Sequence, residues 1–587
     1  MTTNISTKFV PSEGDPSRNI WFIGEAPGAD EETGTLNHPA PGPFIGESGS
    51  VIFTPCLLRN GLPRPDSVFV TNLSHHRPKD NKFEYLIGSK ELADGINEIK
   101  ELIIKNKPVV ICTLGNWPMY FITGKKGKKP GSGILNWRGS ILQHESGIKV
   151  IPTIHPAAVY RDRKLYPIFD QDIKRVVFDS SFRDLKLPER KFTIAPVGDE
   201  LEHYTQVLLK SDKLAVDIET FGPNIGCVGF SNDPSMGVCI VNDNTPQFRD
   251  SVDRLLLSDI PKILHFGVFD KAILKLHGFS VNNYWWDNQV AQCVMWPELP
   301  RAHKYLVSTY TREPYYKNEA KEGGGDKKSW GKRTDRTKLW IYNCKDDATE
   351  YEVQECQEKE MNEGPPNWKK FFNFSMEMLE VAEHISESGM LVDQDRRGLL
   401  ELAVTYKYAK NQDLLERLTH VGFNDNSHPQ VHKMLYETLK LPVHKTRQSK
   451  VTADEDALIA LIALCKEKIG TIRREKELAE WQTKFLIVKM IMLIRGHRKL
   501  LSSYLRAKIS ADGRIRSTYK VPATETGRWS AEKYVDGTGV NGQTFPRDYV
   551  ELPPESELKE FRAITLDIAN ESESDKEEED DEQEEVA

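Results

Sequence analysis

Val216-Asp-Ile-Glu-Thr220 constrains this chain more tightly than any other segment. Asp217 and Glu219 follow Lys213-Leu-Ala-Val216, an apolar approach with the character of a strand. Side chains alternate along a strand, so both carboxylates leave on one face. Two like charges held that close cost free energy unless a cation or a shared proton offsets them. A divalent metal on oxygen ligands is the usual reason to build such a pair. An exposed strand face gives the same letters, so the reading turns on whether distant residues complete a site. Two segments offer to. His265-Phe-Gly-Val-Phe-Asp270 follows the apolar Ile263-Leu264, and Tyr342-Asn-Cys-Lys-Asp346-Asp347-Ala-Thr-Glu350 reads as a helix. On a helix Tyr342 and Asp346 share a face. Asp347 is a register rival to Asp346, and the four-residue spacing from the tyrosine favours Asp346.

Together these segments resemble the proofreading 3′–5′ exonuclease of the DnaQ-like class, in the tyrosine variety found in family A DNA polymerases. The resemblance implies an RNase H-like domain with a mixed sheet over residues 196–365. It further implies that Asp217, Glu219, Asp270 and Asp346 hold two Mg²⁺ or Mn²⁺ ions, with Tyr342 orienting the attacking water. The chemistry agrees, because two hard cations activate a water and stabilise the leaving oxygen of an in-line displacement. The family has Asn directly after the His of the second segment. Phe266 stands here instead, a departure that bears on seating substrate rather than on metal. An exonuclease fold kept as a scaffold without activity is the alternative.

A second chemistry occupies the N-terminal third. Asn19-Ile-Trp-Phe-Ile23 is a short apolar strand running into Gly24-Glu-Ala-Pro-Gly28-Ala-Asp-Glu31. A Gly- and Pro-rich turn after a parallel strand brings backbone close to a ligand at the carboxyl edge of the sheet. Next come Pro43-Phe-Ile-Gly46, the strand-like Val68–Asn72, His75-His-Arg-Pro78, the apolar 109–115 and Val150-Ile-Pro-Thr-Ile-His155-Pro-Ala157. Strands alternating with helical stretches such as 90–105 predict an α/β sheet with helices on both faces. His75 and His76, as neighbours, point apart and read as solvated loop histidines.

As an ordered set these motifs resemble the uracil-DNA glycosylase superfamily, most closely its family 4, across about residues 18–178. By that resemblance Phe44 stacks on a flipped uracil, Asn72 reads its polar edge, and His155 steadies charge developing on uracil O2. Glu25 and Glu31 match positions that place or activate water. A base taken from the stack does need an aromatic face and edge hydrogen bonds, and a donor aimed at the leaving anion stabilises it. Family 4 holds a four-iron cluster on four cysteines. Residues 18–178 have only Cys56 and Cys112, with His76 at one family cysteine position, so no iron–sulfur cluster is expected. A glycosylase fold reused for binding DNA or a protein is the alternative.

Charge is misleading in this chain. Eleven acids and one Lys give 571–587 a charge of −10, so the other residues carry about +2 of the total −8. Such a tail buries nothing and repels itself, which predicts disorder over 569–587. Eight scattered cysteines without a Cys-x-x-Cys pair argue against a zinc ribbon or a disulfide framework. No apolar stretch reaches the roughly 18 residues that span a bilayer, and no signal-peptide pattern opens the chain. A reducing cytoplasm is expected.

Beyond the exonuclease-like segment, the patterns over 371–400 and 456–505 are helical and amphipathic. Asp512-Gly-Arg514, Thr524-Glu-Thr-Gly-Arg528-Trp-Ser-Ala531 and Asn541-Gly-Gln543-Thr-Phe-Pro546 follow. Their order resembles the thumb of family A polymerases and the entry to its palm. That resemblance implies a helical thumb at 366–510, a truncated palm start at 511–568, and Arg528 on primer–template phosphates or minor groove. Asp567 is the one echo of a palm carboxylate. The Gly-rich basic stretch 321–333 reads as an exposed loop, and 179–195 as a linker.

The expected fold is therefore multidomain α/β: a glycosylase-type sandwich with a parallel sheet, an RNase H-like mixed sheet, then mainly helical thumb. The expected function is that of a phage replication protein, the N-terminal part of a family A DNA polymerase. It trims DNA 3′ ends, carries a uracil-recognising module, and does not synthesise DNA alone. It works in the bacterial host cytoplasm on primer–template and single-stranded 3′ ends, either as the N-terminal piece of a split or intron-interrupted polymerase whose second polypeptide supplies palm and fingers, or as a truncated product with the tail appended. Two alternatives stand beside this: a non-catalytic assembly subunit of a split polymerase, and an active uracil-excision enzyme.

Overall fold

A computed structural model describes residues 4–545, except 223, 320–334, 421 and 447–449. The basic stretch 321–333, Asp567, the palm-like segment beyond 545 and the acidic tail therefore lie outside the described residues. The chain divides into two compact units, 4–382 with Lys520–Ser530, and 383–519 with 531–545.

Two sheets build the first unit. In the N-terminal sheet, β1 (Ile20–Gly24), β2 (Phe69–Asn72), β3 (Val110–Leu114), β4 (Leu142–Gln143) and β5 (Lys149–Thr153) run in the order β2-β1-β3-β5-β4. The pairs β1–β2, β1–β3 and β3–β5 are parallel, while β4 closes one edge antiparallel. Every residue of β1 and β3 is buried, as strands covered on both faces require. Among the covering helices, Lys90–Asn106 starts on a Ser89 cap, whose side chain accepts from Leu92 N at 3.2 Å. The parallel sheet with helices on both faces is the one expected.

The next sheet is mixed. Its strands β6 (Lys191–Ile194), β7 (Leu214–Phe221), β8 (Asn224–Ser231), β9 (Met236–Val241), β10 (Lys262–Leu264) and β11 (Tyr284–Asp287) run β11-β10-β7-β8-β9-β6. The central antiparallel register sets Asp217 opposite Gly229 and Glu219 opposite Cys227. The long helix Thr337–Glu363 lies across this sheet and shares a core with it through Cys227, Cys239, Leu339, Tyr342 and Cys344. Gly229 permits that close approach, because a Cβ there would collide with Asp347 and Asn343.

The expected linker 179–195 is not one. It ends in β6, and its backbone is fastened before that: Lys149 Nζ donates to Asp179 O at 2.6 Å, and Arg312 donates to Leu185 O and Lys186 O. The two sheets also share buried contacts. Arg138 Nε donates to Asp172 Oδ2 at 2.9 Å while its Nη1 reaches Ser308 Oγ at 2.9 Å. Tyr305, Leu306 and Val353 join the apolar core of the N-terminal sheet.

The second unit is mainly helical, with Gln394–Leu418, Glu455–Thr471 and Glu475–Leu500 around a core that includes Leu415, Leu458, Leu461, Val488 and Ile491. The helix predicted to run from 371 to 400 is interrupted. Pro366–Ser388 stops at Gly389, which takes φ 54 where a Cβ would meet Arg516, and Met390–Leu391 pairs antiparallel with Arg514–Ile515. The expected domain edges at 365/366 and 510/511 also differ from the unit edges at 382/383 and 519/520, and Lys520–Ser530 groups with the first unit.

Candidate functional site

Carboxylates converge where β7 meets the helix Thr337–Glu363. Oxygen atoms of Asp217, Glu219 and Asp346 all lie within 4.8 Å of one another. The strand supplies the first two by alternation and the helix supplies the third, as the spacing predicts. Burial pushes the Asp217 carboxyl well above its usual range, and the charges of Asp346, Glu219 and Asp270 add to the effect. Asn343 Nδ2 donates to Asp217 Oδ2 at 2.9 Å and fixes its orientation. Three crowded oxygen ligands suit a hard divalent cation, whose charge would remove the repulsion.

Asp270 is buried in the first turn of the helix Gly267–Leu276. It stands outside the trio, yet its charge raises both Asp217 and Glu350. Tyr342 lies one turn before Asp346, and burial beside that carboxylate pushes its hydroxyl well above the usual tyrosine range. Asp347 faces the sheet: it packs under Gly229, is fully buried, and neither carboxyl oxygen has a hydrogen-bond partner. Phe266 adopts φ 61, a left-handed conformation that asparagine tolerates and phenylalanine rarely takes. The turn is held by Asp287 Oδ2, which accepts from Gly267 N at 3.0 Å. The Lys520 ammonium sits 4.7 Å from the centre of the Phe266 ring.

Two members of this site went unread in the sequence. Glu350 continues the Tyr342–Asp346 face by one more turn, is 3 % exposed, and leaves Oε2 without a partner. Burial, then Asp217, Asp270 and Asp346, push its carboxyl well up. The repeated spacing of four was the available signal. Lys317 is the other: its Nζ lies 2.6 Å from both Asp346 oxygens. No periodic pattern marks it.

The second constellation lines a cavity of about 470 Å³ at the carboxyl end of β1, β3 and β5, with Glu25, Glu31, Phe44, Gly115, His155 and Arg161 in its wall. Glu31 bridges two loops, accepting from Gly28 N at 2.9 Å and from Phe44 N at 2.8 Å. Burial raises its carboxyl to about 6. Phe44 holds φ 54, and its ring lies 4.9 Å from Phe53 and 5.7 Å from His155. Desolvation raises Glu25 to about 7 against backbone N–H bonds from Trp117 and Asn116.

His155 caps the helix Pro156–Arg161, its Nδ1 accepting from Ala157 N at 3.1 Å. An accepting Nδ1 in a neutral ring leaves the proton on Nε2. Burial, with Arg161 nearby, lowers the imidazole to about 4, so neutral donor is its resting form. Asn72 ends β2 beside Gly24, where its Oδ1 and the Phe44 ring crowd the glycine. It adjoins the cavity wall without being part of it. His75 differs from expectation: it is buried, not solvated. Its Nδ1 lies 2.7 Å from Val10 O and its Nε2 3.0 Å from Glu98, and Phe9 stacks on its ring, because the N-terminal segment folds back over this loop. Arg528 is exposed, on a turn closed by Ala523 N donating to Arg528 O at 3.0 Å.

Over 160 residues, 27% of this chain, the sequence is 26% identical to a DNA polymerase I of Caldicellulosiruptor bescii, of which it covers 16%. A solved structure, the POL domain of Pol1 from M. smegmatis in complex with DNA primer-template and dNTP, matches with TM-score 0.44 and 16% identity, over 61% of this chain and 56% of that one. A type-4 uracil-DNA glycosylase of Sulfurisphaera tokodaii is 31% identical over 191 residues, covering 32% of this chain and 79% of the relative. Residues 11–180 match the family model described as the uracil DNA glycosylase superfamily. Through that segment, which contains Glu25, Phe44, Asn72 and His155, the chain belongs to the uracil-DNA glycosylase superfamily.

Proposed function

We propose that this chain is a DNA-processing enzyme that trims 3′ ends at Asp217, Glu219 and Asp346 and carries a uracil-recognising module beside that site. One observation carries the reading: three carboxylates from a strand and a distant helix bring their oxygens within 4.8 Å. With Asp270 close by, they would hold Mg²⁺ or Mn²⁺, which when bound activates water and stabilises the leaving 3′-oxygen. The chain's own groups do the rest. The Tyr342 hydroxyl keeps its proton and so can hold an incoming water oxygen. Phe266 and Lys520 offer a ring face and a cation beside it for the terminal nucleotide. The finer reading is a phage replication protein of the family A polymerase kind acting in bacterial cytoplasm, and the segment similar to DNA polymerase I supports its polymerase part alone. Among the described residues, no helix is long and apolar enough to cross a membrane.

The test compares primers labelled at either end, in chelator and with Mn²⁺ restored. Loss of the 3′ label with a descending 5′-labelled ladder, only when the ion is present, is expected. An intact primer under both conditions overturns the reading.

Uracil excision is a second reading, favoured by the Nε2 donor of His155 at the cavity. A donor there stabilises the anion that uracil becomes as its glycosidic bond breaks. Abasic sites should form in an oligonucleotide with a single uracil. Their absence at enzyme excess removes this activity and leaves recognition alone.

A further inference from the structure

We infer that Lys317 is a built-in cation of the carboxylate site, so that the site takes one divalent ion rather than two. The inference rests on the exonuclease reading and sharpens what that site binds. The Lys317 ammonium lies 2.6 Å from Asp346 Oδ1 and 2.6 Å from Oδ2. Tyr316 donates its hydroxyl to Asp346 Oδ1 at 2.5 Å. An ionised carboxylate offers about four lone-pair positions on its two oxygens. Ammonium and phenol take three of them. What remains serves one shared contact toward Asp217 and Glu219, not the bridging of two ions.

The position of this lysine is constructed. Its Nζ stands 4.7 Å from the Tyr342 ring centre and 5.3 Å from that of Tyr316, on aromatic faces that attract a cation. Tyr316 is itself fastened, with its hydroxyl 3.0 Å from Thr349 Oγ1, and Thr349 lies 2.9 Å from His303 Nε2. A fixed ammonium neutralises part of a buried acidic cluster without desolvating a second ion.

The experiment counts tightly bound Mn²⁺ on the full chain. Acids elsewhere, including those of 571–587, also attract the ion, so each count is taken against a chain carrying Asp217→Asn, Glu219→Gln and Asp346→Asn together. The wild type is expected to hold one ion more than that reference, Lys317→Arg one, and Lys317→Met two. Circular dichroism and the midpoint of thermal unfolding check that each variant is folded, and Lys317→Gln replaces Lys317→Met if the latter is not. Two extra ions on the wild type, or one on folded Lys317→Met and Lys317→Gln, overturns the role of the lysine while the metal site stands. No extra ion on the wild type overturns the metal site itself, and the lysine's role with it.

Discussion

The backbone N–H of Phe44 donates to Glu31 Oε1 at 2.8 Å, and this bond holds a phenylalanine at φ 54 in the wall of the glycosylase-type cavity. A left-handed conformation costs a residue with a large side chain on the order of 1–3 kcal/mol and persists where its surroundings impose it. Glu31→Ala removes the acceptor of Phe44 N and of Gly28 N together. Leaving such donors unmet costs about 1–3 kcal/mol. The variant should lose that much stability in denaturant unfolding and should bind uracil-containing DNA weakly. Unchanged binding would show that Phe44 keeps its place without Glu31.

Gly24→Ala probes the same wall from behind. Its Cβ would collide with Asn72 Oδ1 and the Phe44 ring, so both must shift. Overpacking of this kind costs about 1–3 kcal/mol. Discrimination between uracil and thymine in oligonucleotide binding should fall with it, since both side chains proposed to recognise the base move.

Two groups of the cavity give opposite pH dependences. Glu25 is raised to about 7, so its contribution to stability is full below the ordinary value of 4.5 and is lost as pH rises through about 7. His155 is lowered to about 4, so its contribution is full above 6.5 and is lost as pH falls through about 4. Glu25→Gln should flatten the fall in thermal midpoint between pH 5 and pH 8, and His155→Asn should flatten the fall on the acid side. If Glu25 also charges the attacking water, excision in the wild type rises through pH 7 and Glu25→Gln abolishes that rise. A wild-type excision profile flat across pH 7 contradicts that role for Glu25.

Arg138→Met should be among the more destabilising changes in the first unit. Asp172 is 1 % exposed, and it accepts from Arg138 and, at 2.7 Å, from Thr153 Oγ1. Removing one partner of a buried pair strands the other charge at a cost of about 3–5 kcal/mol. Arg138→Met with Asp172→Leu should recover much of the loss, which urea unfolding of the two variants measures.

Much of both sites could be read in the sequence because their chemistry rides on regular elements. Alternation along β7 put Asp217 and Glu219 on one face, and the helical spacing put Tyr342 and Asp346 on another, which the shared oxygen cluster unites. Asp347 was separable from Asp346 by the same spacing. What could not be read lies off the periodic elements. Lys317 follows the helix His303–Tyr310 by several residues of irregular chain, and no pattern ties it to Asp346. The burial of His75 is not legible either, because it depends on Val10 and Phe9, a long-range contact that a dipeptide does not announce. The supposed linker failed for the same reason: β6 is a strand only because β9 is there to pair with it.

Whether these carboxylates trim DNA is decided by following a 3′-labelled primer with Mg²⁺ in the wild type and in an Asp217→Ala, Glu219→Ala chain of equal folded content. Stepwise loss of the 3′ nucleotide is expected with the wild type, and a rate lower by at least about two orders of magnitude in the variant, as loss of metal-assisted chemistry implies. Equal rates in the two chains, or an intact primer with the wild type, would contradict it.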